Sequence, residues 1–139
     1  MIVRPFEDAD EDAVIELWSR CGLLRPWNDP RKDIARKMKV QPELFLVGTI
    51  DGRVVATVMA GYDGHRGWVY YLGVDPGFRR RGYARGIMKE AEQRLRELGC
   101  PKVNLQVRRD NPDAAAYYER TGFSEEDRMS FGKRIEPDN

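Results

Sequence analysis

The chain has 139 residues, the length of one ordinary domain. Its charged fraction of 34%, set beside a hydrophobic fraction of 41%, is above the ~25% charged that is usual, which points to a packed protein with a heavily charged surface. With 24 basic and 23 acidic residues the net charge is +1, which excludes a global electrostatic case for nucleic acid or an anionic membrane, and no apolar run approaches the ~18 residues of a membrane span.

Met1 is followed by no long apolar stretch of the signal-peptide kind, so a cytoplasmic location is expected. The one histidine, His65, and two cysteines, Cys21 and Cys100, without C-x-x-C spacing, exclude a histidine-rich metal site, and no metal is expected.

Residues 2–6 form a short first strand. Asp8 fits an N-cap with Glu11 as its capping-box partner, and Ala13, Val14, Leu17, Trp18 and Cys21 share one face of the helix that follows, up to Gly22. Residues 23–30 carry Pro26, Pro30 and the Asn28-Asp29 pair and form a loop. Asp29-Pro30 then opens a short helix to Lys39, with Ile34, Met38 and Ala35 inward. Residues 44–50 and 53–62 are strands joined by the hairpin turn Asp51-Gly52. After a turn over 62–67, residues 68–74 are nearly continuously apolar or aromatic, which predicts a central strand buried on both faces.

Residues 82–98 are the best helix in the chain, with Ala84, Ile87, Met88, Ala91, Leu95 and Leu98 in one stripe, Glu90–Arg94 and Glu92–Arg96 as i,i+4 pairs, and Gly99 just past the end. Residues 102–107 alternate as a strand. Asn111-Pro112 starts a helix that runs to Thr121, and a last strand is expected over 129–135. This order predicts a mixed α/β (α+β) sandwich around one mainly antiparallel sheet, all of 1–139 forming one domain, with a right-handed parallel crossover between the strands at 68–74 and 102–107.

The chemistry concentrates where the strand at 68–74 stops at Asp75-Pro76-Gly77 and the long helix begins. The first amides of a helix lack intrahelical partners and carry the positive end of the dipole. Gly82 and Ala84 allow close approach to the backbone. Arg79, Arg80, Arg81, Arg85 and Lys89 surround the same point, so the turn suits a phosphate or pyrophosphate. The glycines fit neither a Walker A loop nor a Rossmann fingerprint. A solvated basic turn before an ordinary helix is the other reading of these residues.

Arg79-x-x-Gly82-x-Ala84 is similar to the [QR]-x-x-G-x-[GA] motif of the GNAT superfamily of N-acetyltransferases. Tyr71-Leu72-Gly73-Val74, with Pro76 next, resembles the strand that precedes that motif, and Asn111-x-x-Ala114-x-x-x-Tyr118 followed by Gly122-Phe123 resembles the family's second signature. The segments around Trp27 and His65 also look similar to a small bacterial acetyltransferase of that family. The resemblance spans nearly the whole chain and implies a GNAT-like fold, with the parallel strand pair splayed into a slot, and transfer of an acetyl group from acetyl-coenzyme A to an amine. It implies that the amides of Arg79, Arg80, Arg81, Gly82, Tyr83 and Ala84 hold the coenzyme pyrophosphate. Backbone groups of Leu72 and Val74 would pair with pantetheine, the Leu72 amide would face the acetyl carbonyl as an oxyanion donor, Asn111 would bond the pantetheine arm, and Tyr118 would be the general acid. A phenol of pKa ~10 can assist a departing thiolate of pKa ~8.5 at short range. By its residue pattern alone Tyr118 reads as a core tyrosine.

The acceptor, a small-molecule or peptide amine, is left open by the sequence. Trp27 and Arg25 in the 23–30 loop, Asp63 and Tyr70 are candidate acceptor contacts, and each also reads as a packing or turn residue. Asp63, His65 and Asp29 are candidate bases. Dimers are common in the family, so a homodimer is an expectation from the resemblance. A non-catalytic acyl-coenzyme A-binding module of the same fold is the alternative function. A single-strand nucleic-acid reading of Arg79–Arg81 with Arg108 and Arg109 meets the near-neutral charge and the lack of any nucleic-acid motif, so no nucleic acid and no membrane partner is expected.

Overall fold

A computed structural model describes residues 1–138. The elements run β1 (Ile2–Pro5), α1 (Glu11–Arg20), α2 (Pro30–Lys37), β2 (Phe45–Ile50), β3 (Arg53–Tyr62), β4 (Gly67–Val74), α3 (Tyr83–Glu97), β5 (Val103–Leu105) and α4 (Pro112–Arg120), with short 3-10 turns at Asp8–Asp10, Pro42–Leu44 and Pro76–Phe78. The described chain divides into two compact units, Met1–Asn104 with Asp138, and Leu105–Pro137. No helix among the described residues is long and apolar enough to cross a membrane.

The five strands lie in the order β1-β2-β3-β4-β5, with β1 to β4 antiparallel and β4-β5 the parallel pair. The predicted mixed, mainly antiparallel sheet is therefore the one observed. β4 is an interior strand, between β3 and β5, but it is not buried on both faces as expected. β3 occupies the middle of the sheet, and Val54 to Ala60 are buried without a break, whereas in β4 Tyr70 is exposed and Tyr71 and Leu72 are only half-buried. An apolar run reports affinity for burial and does not report a strand's place in the order.

One face of the sheet packs against α1 and α2. Val14, Leu17 and Trp18 of α1 and Ile34 of α2 join Phe6, Phe45, Val47 and Met59 in one cluster, with the Phe6 and Phe45 rings stacked at 4.6 Å. The neighbour of Val47, Gly48, faces Met1, which also lies against Gly86 of α3, so α3 covers the opposite face. There Ile87, Met88, Ala91 and Leu95 are buried, while Leu98 is 47% exposed and lies outside the expected stripe. Ala13 and Ala35, expected inward, are exposed, because one methyl group adds little to a face already covered by larger neighbours.

Several local expectations shift. Glu7, not Asp8, caps the first turn, in a capping box with Asp10, and Asp8–Asp10 form a 3-10 turn ahead of α1. Asp29 caps α2 by accepting from the Arg31 and Lys32 amides, as its Asp-Pro signature required. The Glu90–Arg94 pair forms at 3.1 Å, but Arg96 donates to Gln93 instead of pairing with Glu92. The strand at 102–107 shrinks to Val103–Leu105. The strand expected over 129–135 is absent: Met129, Phe131 and Ile135 are all more than four-fifths exposed. Alternating apolar residues form a strand only where a neighbouring edge and a core meet them.

The last turns of β3 extend past β2, which starts opposite Met59. The Gln41 side chain bonds both the N–H and the C=O of Tyr62, and Lys37 Nζ donates to the Ala60 carbonyl, so the overhanging edge is capped by side chains.

Candidate active site

The residues singled out on β4 and α3 lie together in the first unit. β4 carries a bulge. Its register with β3 shifts between Thr57↔Gly73 and Met59↔Tyr70, so Tyr71 and Leu72 together face the single residue Val58. Tyr71 takes φ +54°, an uncommon backbone for a bulky residue. Three contacts hold it there. Its ring stacks on Trp18 at 3.8 Å and 11°, its hydroxyl donates to Asp33 Oδ2 at 2.6 Å, and its carbonyl accepts from Thr57 Oγ1 at 2.9 Å. Burial and the Asp33 carboxylate both raise the Tyr71 pKa, so the phenol stays protonated.

Beyond the bulge the strand end is pinned. Asp75 is buried; its Oδ2 accepts from Arg20 at 2.7 Å and from Arg53 at 3.2 Å, and its Oδ1 accepts from the Gly77 amide at 2.9 Å. The Val74 carbonyl accepts from Arg79 Nε and from Cys21 Sγ, each at 3.3 Å. Burial raises the Cys21 pKa against the opposing pull of Arg79, which favours the neutral thiol.

The turn into α3 holds two left-handed residues, Arg80 at φ +65° and Gly82 at φ +81°. Such turns direct successive amides into an anion-binding concavity. Gly82 is the N-cap of α3, with no side chain to accept the first amides, and a Cβ built on it meets nothing within 4 Å. The space before those amides is open. Arg79, Arg80 and Arg81 are all exposed, although Arg79 Nε is held by the Val74 carbonyl, and Arg81 Cζ lies 5.2 Å from the Phe78 ring centre. Tyr83 and Ala84 form the first turn of α3. A charged cleft between α1 and the β2–β3 turn, lined by Asp10, Glu16, Arg20 and Arg53, shares none of these loop residues.

Asn111 and Tyr118 belong to the second unit, on α4. Asn111 Oδ1 accepts from the Ala114 amide at 3.2 Å and caps the helix. Tyr118 meets Tyr117 and Phe123 edge to face, with ring centres 5.3 and 5.6 Å away. Its pKa is pushed up to about 12, first by burial and then by Tyr117. The phenol is a proton donor at every ordinary pH and not a base.

The remaining candidates fall on turns. Asp63 Oδ1 accepts from the His65 and Arg66 amides and closes the β3–β4 turn, which lowers its pKa. Asp29 is committed to capping α2. Trp27 is 45% and Tyr70 50% exposed. Burial raises the Tyr70 pKa, with Asp63 adding to it. Trp18 was expected only on the apolar face of its helix, and neither it nor Thr57 was expected near the site. Both look like ordinary core positions, and only the fold brings them to the Tyr71 carbonyl.

A profile of the "Acetyltransferase (GNAT) family" matches residues 10–123. An acetyltransferase of Yersinia enterocolitica is 49% identical over 135 residues, 97% of this chain and 96% of that protein. Among solved structures, a ribosomal-protein alanine N-acetyltransferase from Escherichia coli superposes with TM-score 0.75 at 25% identity, covering 90% of this chain and 78% of its own. An aminoglycoside N-acetyltransferase solved in complex with CoA superposes with TM-score 0.74 at 16% identity, covering 96% and 94%. The chain belongs to the GNAT family and is an acetyltransferase.

Proposed function

We propose that the protein transfers acetyl directly from acetyl-coenzyme A to an amine, through a tetrahedral intermediate. The observation that carries this reading is the pairing of a bulged strand, ending at Val74, with an uncapped, left-handed helix start at Gly82. Residues 10–123 match the family across both units, which supports reading 1–139 as one acetyltransferase domain.

In this reading the amides from Arg79 to Ala84 take the pyrophosphate, and the arginines complement its charge. Backbone groups of Leu72 and Val74 pair with the pantetheine amides, and Asn111 bonds the same arm. The amine lone pair attacks the thioester carbon, and the carbonyl oxygen gains charge opposite the Leu72 amide. The intermediate then collapses, the C–S bond breaks and the amine loses a proton to solvent or a base. Tyr118 meets the developing thiolate. With the phenol about 3.5 units above an ordinary thiol, complete transfer costs about 5 kcal/mol, so Tyr118 acts by hydrogen-bonding the sulfur as charge develops. Trp27, Asp63 and Tyr70 stand as acceptor contacts. Neighbours named for ribosomal-protein alanine and for aminoglycosides show how far acceptors diverge on one fold.

The test is a melting curve with and without acetyl-coenzyme A, followed by an amine screen. Ligand at ~100 times its Kd should stabilise the fold by ~2.7 kcal/mol. No rise at millimolar ligand refutes donor binding, and a rise without turnover on any amine favours the non-catalytic module.

A further inference from the structure

Thr57 is fully buried in β3, and its hydroxyl makes two bonds of defined sense. Trp18 Nε1 lies 3.0 Å away and an indole N–H can only donate, so Thr57 Oγ1 accepts there. The one hydroxyl proton is thereby directed to the Tyr71 carbonyl, 2.9 Å away. That carbonyl shares a planar trans peptide with the Leu72 N–H, and the two point in opposite directions. Holding the Tyr71 carbonyl therefore sets the direction of the Leu72 amide. The bulge needs such a hold, since left-handed backbone at a tyrosine costs roughly 1–2 kcal/mol. The stacked Trp18 ring and the Tyr71–Asp33 bond hold the side chain, whereas Thr57 holds the carbonyl of the peptide itself.

We propose that Thr57, oriented by Trp18, is a positioning residue that aims the Leu72 amide at the thioester carbonyl. This rests on the reading of Leu72 as oxyanion donor given above. The informative variants are Thr57→Val, which keeps shape and loses the hydroxyl, Thr57→Ser, which restores it, and Trp18→Phe, which keeps a stacking ring but removes the indole donor.

The probe is acetyl-coenzyme A carrying 13C at the acetyl carbonyl, followed by difference infrared spectroscopy on the bound complex, with its Kd measured separately; no acceptor is needed. The wild type should shift the carbonyl stretch to lower frequency on binding. Thr57→Val should lose that shift while its Kd stays within about threefold, Thr57→Ser should keep it, and Trp18→Phe should give a broadened, smaller shift. A wild type that binds without any shift overturns the Leu72 reading and this proposal with it. A shifted wild type whose shift survives in Thr57→Val overturns the proposal alone. If Thr57→Val does not fold, Trp18→Phe decides: a full wild-type shift there refutes the orienting chain. Once an acceptor is known, Thr57→Val should lower kcat with little change in KM for the donor, a split that simple destabilisation does not produce.

Discussion

Gly82 and Gly99 sit at opposite ends of α3 in nearly the same backbone conformation, φ +81° and +87°, and a Cβ at either meets nothing within 4 Å. Alanine at each therefore brings the same strain and no clash. The left-handed penalty is about 1 kcal/mol, partly offset by the reduced freedom of the unfolded chain, which corresponds to a fall in Tm of about 3–4 °C for a chain of this size. Urea or thermal melts of Gly82→Ala and Gly99→Ala should thus agree to within about 0.5 kcal/mol. Only Gly82 lies before the open amides, so the two should separate when acetyl-coenzyme A is titrated by calorimetry. Gly82→Glu makes the contrast larger. A carboxylate ~6 Å from a phosphate charge, at an effective dielectric of ~40, is worth ~1.4 kcal/mol, about tenfold in Kd per charge. A pyrophosphate carrying two charges should bind about a hundredfold more weakly. Gly99→Ala should bind as the wild type does. Equal binding by Gly82→Glu and the wild type, with both well folded, would refute the assignment of the turn to the pyrophosphate.

Tyr118→Phe should leave the Kd for acetyl-coenzyme A unchanged and lower kcat by ~10²-fold or more; unchanged turnover in steady-state assays removes Tyr118 from the chemistry. Because its pKa lies near 12, the wild-type rate should show no fall from phenol ionisation below about pH 11. Asp75→Asn, which keeps the shape but frees Arg20 and Arg53, should cost about 1–2 kcal/mol in denaturant melts and weaken donor binding by loosening the strand end. Carboxylates held below their ordinary pKa, Asp10 and Asp138 among them, set the acid limit. Arg4 binds both oxygens of Asp10, at 2.7 and 2.9 Å, and lowers its pKa, while Arg36 and the Asp29 amide lower Asp138 to about 2. Folded pKa values below the unfolded ~3.9 mean that this stability is complete above about pH 5 and is lost as pH falls through the folded values. Urea midpoints should be flat from about pH 5 upward and drop toward pH 2, and the drop should be smaller in Asp10→Asn and Asp138→Asn. A midpoint that rises on acidification contradicts the assignment.

The sequence by itself determined what depends on neighbours along the chain. The Asp51-Gly52 hairpin, the Asp29 and Asn111 caps, the α3 stripe and the stop at Asp75-Pro76 are all local matters of φ preference, capping and period, and each appears in the structure. The turn at Arg79–Ala84 was legible for the same reason, because its amides, glycine and arginines are contiguous. What depends on distant residues was not. The order that puts β3 rather than β4 at the centre, the exposed stretch at 129–135 and the half-burial of Tyr70 follow from which surfaces meet. The bulge at Tyr71 is decided only in three dimensions. Nothing in Tyr70-Tyr71-Leu72 announces a left-handed residue, and it exists because Trp18, Asp33 and Thr57, from two helices and another strand, meet there. A pattern along one segment can say that it will be a strand, but a hydroxyl 14 residues away and an indole 53 residues away decide which way its peptide points.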